Sequence, residues 1–304
     1  MLNGFEAVEV DTGETSIFIR RSGRGSPILL LHGFPETHLM WAGVAPLLAE
    51  RCTVVCPDLR GYGRSGCPAS DAEHAAYSKR AMARDLVGAM ERLGHANFMV
   101  AGHDRGGRVA YRLALDHPER VDRLAVLDIL STETVWTRAD DRLALGYWPW
   151  SMLAQPEPLP ERILTACADA VVADALDQWG SNPAAFSGAL RLAYAAALRD
   201  PSHAHAICEE YRAAAGIDRA HDRSDRAAGR RIGCPMLVLW SATGALGTWY
   251  ASEGGPLALW REWASSVEGH AIEAGHFFPE EAPGPTADAL RRFFAAGDSG
   301  APSP

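Results

Sequence analysis

Five short apolar runs that do not alternate constrain this chain most. Pro27-Ile-Leu-Leu-Leu, Thr53-Val-Val-Cys-Pro, Phe98-Met-Val-Ala-Gly, Leu124-Ala-Val-Leu-Asp and Pro235-Met-Leu-Val-Leu-Trp each read as a strand with both faces covered. Helical patterns around 39–50, 79–93, 106–117 and 285–296 lie around and between them. Strand and helix in alternation predict a doubly wound, mostly parallel sheet of the α/β class. Two alternating runs, Phe5–Val10 and Ser16–Arg20, flank Asp-Thr-Gly and predict an opening hairpin. After Leu130 the alternation stops. Residues 131–230 hold helical patterns rich in Ala, Leu, Trp and Tyr, with no buried-strand run, until Pro235. The expected organisation is a core of 1–130 and 231–296, a helical cap of 131–230, and a disordered tail of 297–304.

At 304 residues and 47% hydrophobic side chains, the chain can bury a large core. Its net charge of −9 argues against sequence-independent nucleic-acid binding and against docking on anionic membranes. Lys79 is the single lysine, so the other 28 basic residues are arginines, suited to bidentate recognition of carboxylates. The six cysteines contain no C-x-x-C pair and read as free thiols, with Cys52 and Cys56 filling an apolar strand. The N-terminus lacks a basic region followed by an apolar run, and no stretch of about 18 apolar residues occurs. A cytoplasmic location is expected.

Ala101-Gly102-His103-Asp104-Arg105-Gly106-Gly107 follows one buried run and opens a helix. Small residues two before and two after Asp104 permit a sharp strand-to-helix turn that lifts its side chain above the sheet and frees the next backbone N–H. The spacing does not fit a dinucleotide or phosphate loop. A plain helix N-cap is the competing reading. Three further segments keep it company: His32-Gly33-Phe34-Pro35-Glu36, Asp58-Leu-Arg-Gly-Tyr-Gly-Arg-Ser-Gly66 and Ala274-Gly275-His276-Phe277-Phe278-Pro279-Glu280. In this order they resemble the α/β-hydrolase superfamily over about 270 residues. The resemblance implies Asp104 as nucleophile, His276 as base, and the backbone amides of Phe34 and Arg105 as an oxyanion hole. His32 is expected to structure its loop. The strand that follows the helical segment ends Trp240-Ser-Ala-Thr-Gly-Ala with no carboxylate, so Asp128 is the expected orienting acid.

An aspartate nucleophile is ionised at neutral pH, attacks an sp³ carbon and becomes an ester that activated water then cleaves. Alkyl halides, epoxides and 2-halo acids suit this scheme. Arg105 and Arg108 would burden a pocket for neutral alkanes, yet they clamp a carboxylate well. Asp-Arg-Gly-x-Arg, Leu-Asp-Ile, Gly-His-Phe-x-Pro-Glu-Glu, Trp150-Ser-Met-Leu-Ala-Gln-Pro and Glu210-Tyr211-Arg are similar to the haloacetate (fluoroacetate) dehalogenases. That resemblance implies carboxylate binding by Arg105 and Arg108, halide binding by Trp150 and Tyr211, and a homodimer. It also implies a small 2-halo acid and water as the only partners, with no cofactor and no metal. Tyr147, Trp148 and Trp179 are further candidates for the cap side of the pocket. The chain departs from the family at Pro149, where a halide-binding His is expected. Proline has no donor, so C–F cleavage should suffer most, with Tyr147 or Trp148 as substitutes.

An epoxide hydrolase with the same Asp–His machinery and cap tyrosines stays open, as does a non-catalytic small-acid binder. His203-x-His205 with His221 lacks an acidic or Cys partner at ligand spacing. Trp260 and Trp263 read as core, and Arg219–Arg231 as a solvated connector.

Overall fold

A computed structural model describes residues 2–296. Eight strands form one sheet in the order β1-β2-β4-β3-β5-β6-β7-β8. They are β1 (Glu6–Asp11), β2 (Ser16–Ser22), β3 (Pro27–Leu31), β4 (Thr53–Pro57), β5 (Phe98–His103), β6 (Val121–Leu127), β7 (Met236–Ser241) and β8 (Val267–Ile272). The hairpin β1–β2 joins antiparallel to β4, and every later pairing is parallel. The missing alternation in the central strands now has its cause. Leu29, Leu31, Val100, Val126 and Val238 face one hydrophobic cluster, while Ile28, Leu30, Ala101, Leu127 and Leu239 face the other. Each face is covered, so each side chain is apolar whichever way it points.

The helices α1 (Ala45–Ala49), α2 (Lys79–Arg92) and α3 (Asp104–Asp116) connect the first parallel strands. The helix expected over 39–50 is broken into a 3-10 turn at His38–Ala42 and the short α1. Gly43 lies between them under Pro283, where a Cβ would come within 2.7 Å of the proline ring. Between β6 and β7 the regular elements are helices: α4 (Thr132–Thr137), α5 (Asp141–Gly146), α6 (Pro149–Met152), α7 (Leu159–Gln178), α8 (Gly188–Arg199), α9 (Pro201–Ala215) and α10 (Ile217–Ala227), with a 3-10 turn at Pro183–Ala185. The solvated connector expected at Arg219–Arg231 is largely the helix α10. Its arginines pair outward with Glu133 and Glu262, while Asp222 and Asp225 turn inward onto the buried Arg112. After β7 come α11 (Ala245–Trp249) and α12 (Gly255–Arg261), then β8, α13 (Phe278–Glu281) and α14 (Pro283–Ala295).

Trp260 and Trp263 are core, packed against Tyr111 at 5.5 and 6.2 Å, and none of the six cysteines, all among the described residues, is in a disulfide. No described helix is long and apolar enough to cross a membrane. The tail expected at 297–304 lies outside the described residues. Because β3 and β5–β8 run parallel, their C-terminal ends share one edge of the sheet. That edge is where open α/β sheets gather their functional groups.

Candidate active site

Asp104 sits at the first turn of α3 with φ +43, a left-handed conformation that is strained for a residue with a Cβ. The neighbouring glycines make the turn possible. A Cβ on Gly102 would lie 2.4 Å from the Gly106 carbonyl oxygen, and one on Gly106 would lie 2.4 Å from that of His32. The turn thus lifts a buried carboxylate to the sheet edge, and its Oδ2 accepts from the Phe34 amide at 3.1 Å. Burial alone would raise the pKa of Asp104. The charges of His276, Arg105 and Arg108 outweigh it and hold the group below the usual aspartate value.

Asp128 follows β6, also with positive φ, +53. Its Oδ2 is 2.6 Å from His276 Nδ1, and its Oδ1 accepts from the Ser241 amide at 2.9 Å. The acid-less end of β7 therefore supplies the N–H that fixes the acid from β6. With Nδ1 committed to Asp128, Nε2 is the nitrogen of His276 left to take a proton. Asp104, Asp128 and His276 line one cavity. As expected, His32 structures its loop: Nδ1 donates to the Gly33 carbonyl at 2.9 Å and Nε2 accepts from the Leu59 amide at 2.9 Å.

The two arginines occupy different depths. Arg108 lines the cavity, its guanidinium 4.3 Å over the Trp150 ring, and its Nη1 donates to the Leu130 carbonyl while Nε has no protein partner. Burial and the neighbouring Arg105 charge lower its pKa to about 10. Arg105 lies behind the wall. Its Nε and Nη2 grip Glu210 at 2.6–3.0 Å, the Tyr211 ring covers its face at 4.0 Å, and its Nη1 is buried without a partner. Glu210 also meets Lys79, so the single lysine is spent in a buried ion cluster with Asp218. The patterning pointed to Arg105 but gave Glu210 no role, because a carboxylate next to Tyr211 on α9 reads as an ordinary helix residue.

On the helical side, Trp150 and Tyr147 line the cavity, and no protein group accepts from their indole N–H or hydroxyl among the described residues. Tyr211, expected to bind the halide, does not line it: its ring lies over the Arg105 guanidinium at 4.0 Å and meets Phe34 edge-on. Two further expectations need correction. Trp148 turns away, its indole N–H donating to Asp174 at 2.9 Å, so it offers nothing to the pocket. Trp179 sits behind His276 with its N–H spent on the Gly146 carbonyl at 2.8 Å, and its own carbonyl receives the His276 amide. Pro149 starts α6, a first-turn position that suits proline. The wall residues Leu246, Trp249 and Tyr250, from α11 and its end, carried no motif in the sequence. The cavity is small, about 30 Å³.

The histidines doubted as ligands gain neighbours in space. His205 stands near Glu157 and Glu161, but Arg212 is 2.7 Å from the same Glu161 carboxylate and already offsets its charge.

A sequence profile described as the alpha/beta hydrolase fold matches residues 26–283. A Burkholderia fluoroacetate dehalogenase is 41% identical over 301 residues, covering 99% of this chain and 97% of its own. The chain belongs to the haloacetate dehalogenase family of α/β-hydrolases. This hydrolase also superposes on a crystal structure of a Nostoc α/β-hydrolase with TM-score 0.93 and 46% identity, over 97% of this chain and 99% of that one. A Pseudomonas aeruginosa protein described as an epoxide hydrolase gives TM-score 0.90 at 42% identity, each chain 98% covered, in a mutant form solved with bound MFA.

Proposed function

We propose that this hydrolase cleaves the carbon–halogen bond of short 2-halo carboxylates through an aspartyl ester. Arg108 carries the reading: a buried guanidinium with an unpartnered Nε lines the same small cavity as Asp104 and His276. A cation in a cavity this small is costly to hold for a neutral ligand and well matched to a small carboxylate. The fluoroacetate dehalogenase relative supports the same chemistry.

In this scheme the substrate carboxylate lies on Arg108, with Arg105 Nη1 behind it. Asp104 attacks the carbon bearing the halogen, the C–X pair leaves with the halide, and an ester forms. His276 Nε2 then takes a proton from water as its oxygen adds to the ester carbonyl, and the Phe34 amide holds the resulting oxyanion. Collapse expels the 2-hydroxy acid, which receives the proton, and the Asp104 carboxyl loses its own proton to regenerate the nucleophile. The Trp150 N–H and the Tyr147 hydroxyl are the donors for the departing halide. With Pro149 in place of a histidine, chloride and bromide should leave readily and fluoride slowly.

The epoxide hydrolase reading draws on the likeness to the Pseudomonas protein and to a Corynebacterium soluble epoxide hydrolase, 29% identical over 290 residues. Both readings pass through an ester on Asp104, so the experiment must separate products. A His276→Asn variant incubated with chloroacetate, fluoroacetate and a simple epoxide is then weighed. The proposal expects a carboxymethyl adduct on Asp104 with chloroacetate and far less with fluoroacetate. An adduct from the epoxide alone, with no halide released by the wild type, overturns it.

A further inference from the structure

Behind the base lies a buried acid cluster that the scheme above does not use. His103, the residue before the nucleophile, is fully buried. Its Nε2 donates to the His276 backbone carbonyl at 2.9 Å, so Nδ1 is the nitrogen facing Glu36, whose Oε2 is 3.0 Å away. The two imidazole rings are 4.6 Å apart. The same Glu36 Oε2 accepts from the Gly33 amide at 3.2 Å, one residue before the amide that meets Asp104. Gly33 is pinched between the two acids: a Cβ there would lie 3.0 Å from Glu36 Oε2 and 3.1 Å from Asp104 Oδ2. Glu36 therefore touches the loop that holds the oxyanion donor and, through His103, the loop that holds the base.

A second acid lies beside it: Glu36 Oε1 and Glu280 Oε2 are both buried without a hydrogen-bond partner. The other oxygen of Glu280, four residues after His276, accepts from the Tyr194 hydroxyl of α8 at 2.8 Å. Burial, reinforced by the Asp104 charge and offset by that of His276, pushes Glu36 up to about 7. Burial beside Glu36 carries Glu280 well above the carboxylate range.

We propose that Glu36 is a positioning residue for ester hydrolysis, acting on His276 through His103. The two half-reactions differ in what they ask of this cluster. Attack by Asp104 consumes negative charge and creates none on His276. Ester hydrolysis builds an imidazolium at His276, which a carboxylate one imidazole away stabilises, and needs the Gly33–Phe34 loop held still around the oxyanion. Loss of Glu36 should therefore slow the second step and spare the first.

This rests on the aspartyl-ester reading, and rapid-quench measurement of both steps with bromoacetate tests it. For Glu36→Gln, ester hydrolysis should fall about tenfold, the scale of one charge-assisted hydrogen bond, with the alkylation rate within twofold of wild type and most of the protein trapped as ester by mass. Glu280→Gln keeps the side-chain shape beside Glu36 and should leave both steps within twofold. His103→Gln, which serves should the Glu36 variant not fold, should reproduce the selective loss. Parallel loss of both steps, unchanged ester hydrolysis, or a Glu280→Gln effect as large as that of Glu36→Gln overturns the assignment. If no halo acid alkylates even the His276→Asn variant, the dehalogenase reading fails alone. A terminal epoxide forming the same ester then carries the identical comparison.

Discussion

The sheet edge and the helical segment above it contribute to one cavity by different means. Along the sheet edge every reacting group is fixed by backbone. Asp104 and Asp128 hold positive φ at strand ends, and the Phe34 and Ser241 amides bond their carboxylates directly. The helical side contributes ring faces and donors without backbone partners in the pocket: Trp150, Tyr147 and, one layer back, Tyr211. Bond-making groups need placement within fractions of an ångström, which parallel strands supply. Groups that choose the substrate need only line a space, and helices can exchange them without disturbing the chemistry.

That contrast predicts a ranking of effects, with the sheet edge at the top. Asp104→Ala removes the nucleophile and should lower halide release by about 10⁴-fold or more. Asp128→Asn keeps the shape but lets His276 adopt the wrong tautomer, so kcat should fall about 10³-fold. The asparagine variant should accumulate ester on Asp104, since attack precedes any need for the base. An Asp128→Asn enzyme without ester would place Asp128 in the first step and break the division proposed here. The nucleophile's lowered pKa adds a pH signature. Alkylation measured in single turnover should stay flat on lowering pH through the usual aspartate value of 3.8 and decline only below it. By the same sign, the ionised Asp104 contributes stability above 3.8 that is lost as pH falls through the lower folded value.

How much of this could be read in advance follows the same division. The elbow and Asp128 were legible because backbone geometry dictates residue type: glycines around Asp104, and an acid at a strand end that only a bonded partner can justify; His276 was read from the resemblance. Neither Glu210 nor the Glu36–Glu280 pair was legible as a site. Their partners lie 105 and 244 positions away, and no local periodicity reports a contact across the fold. Trp148 misled for a related reason. Adjacent residues at the start of a short helix point in different directions, and only the three-dimensional path shows Asp174 taking its N–H. The sheet was legible except for the half-exposed edge strand β8, whereas the broken helix at 38–49 was not, since Gly43 answers to Pro283 from the far end of the chain.

Arg108 stands between the two classes, on a sheet-edge helix yet stacked on Trp150 of α6. Arg108→Leu should raise KM for chloroacetate about 100-fold, the value of a buried charge-assisted pair, and leave KM for the uncharged chloroacetamide within twofold. Equal losses on both would remove the carboxylate-clamp assignment and favour the neutral-epoxide reading. Pro149→His restores a donor on the helical side. It should raise C–F cleavage about tenfold or more while changing C–Br cleavage little. Defluorination unchanged by this substitution would mean that Tyr147 already fills the role.

The smallest effects come from two neighbours that the sequence could not tell apart. Tyr147 lines the cavity with its ring 5.8 Å from that of His276, and its hydroxyl has no protein partner. Tyr147→Phe removes one donor and nothing else, so kcat for chloroacetate should fall about 5- to 10-fold, the value of one ordinary hydrogen bond. Bromoacetate, with the better leaving group, should fall less. Trp148→Phe takes a donor from Asp174, outside the pocket, and should leave kcat and KM within twofold for every halide. The pair separates the pocket from the scaffold. A halide-dependent loss in the Trp148 variant, with none in the Tyr147 variant, would mean that the helical segment rearranges when substrate binds and presents a different side chain to the leaving group.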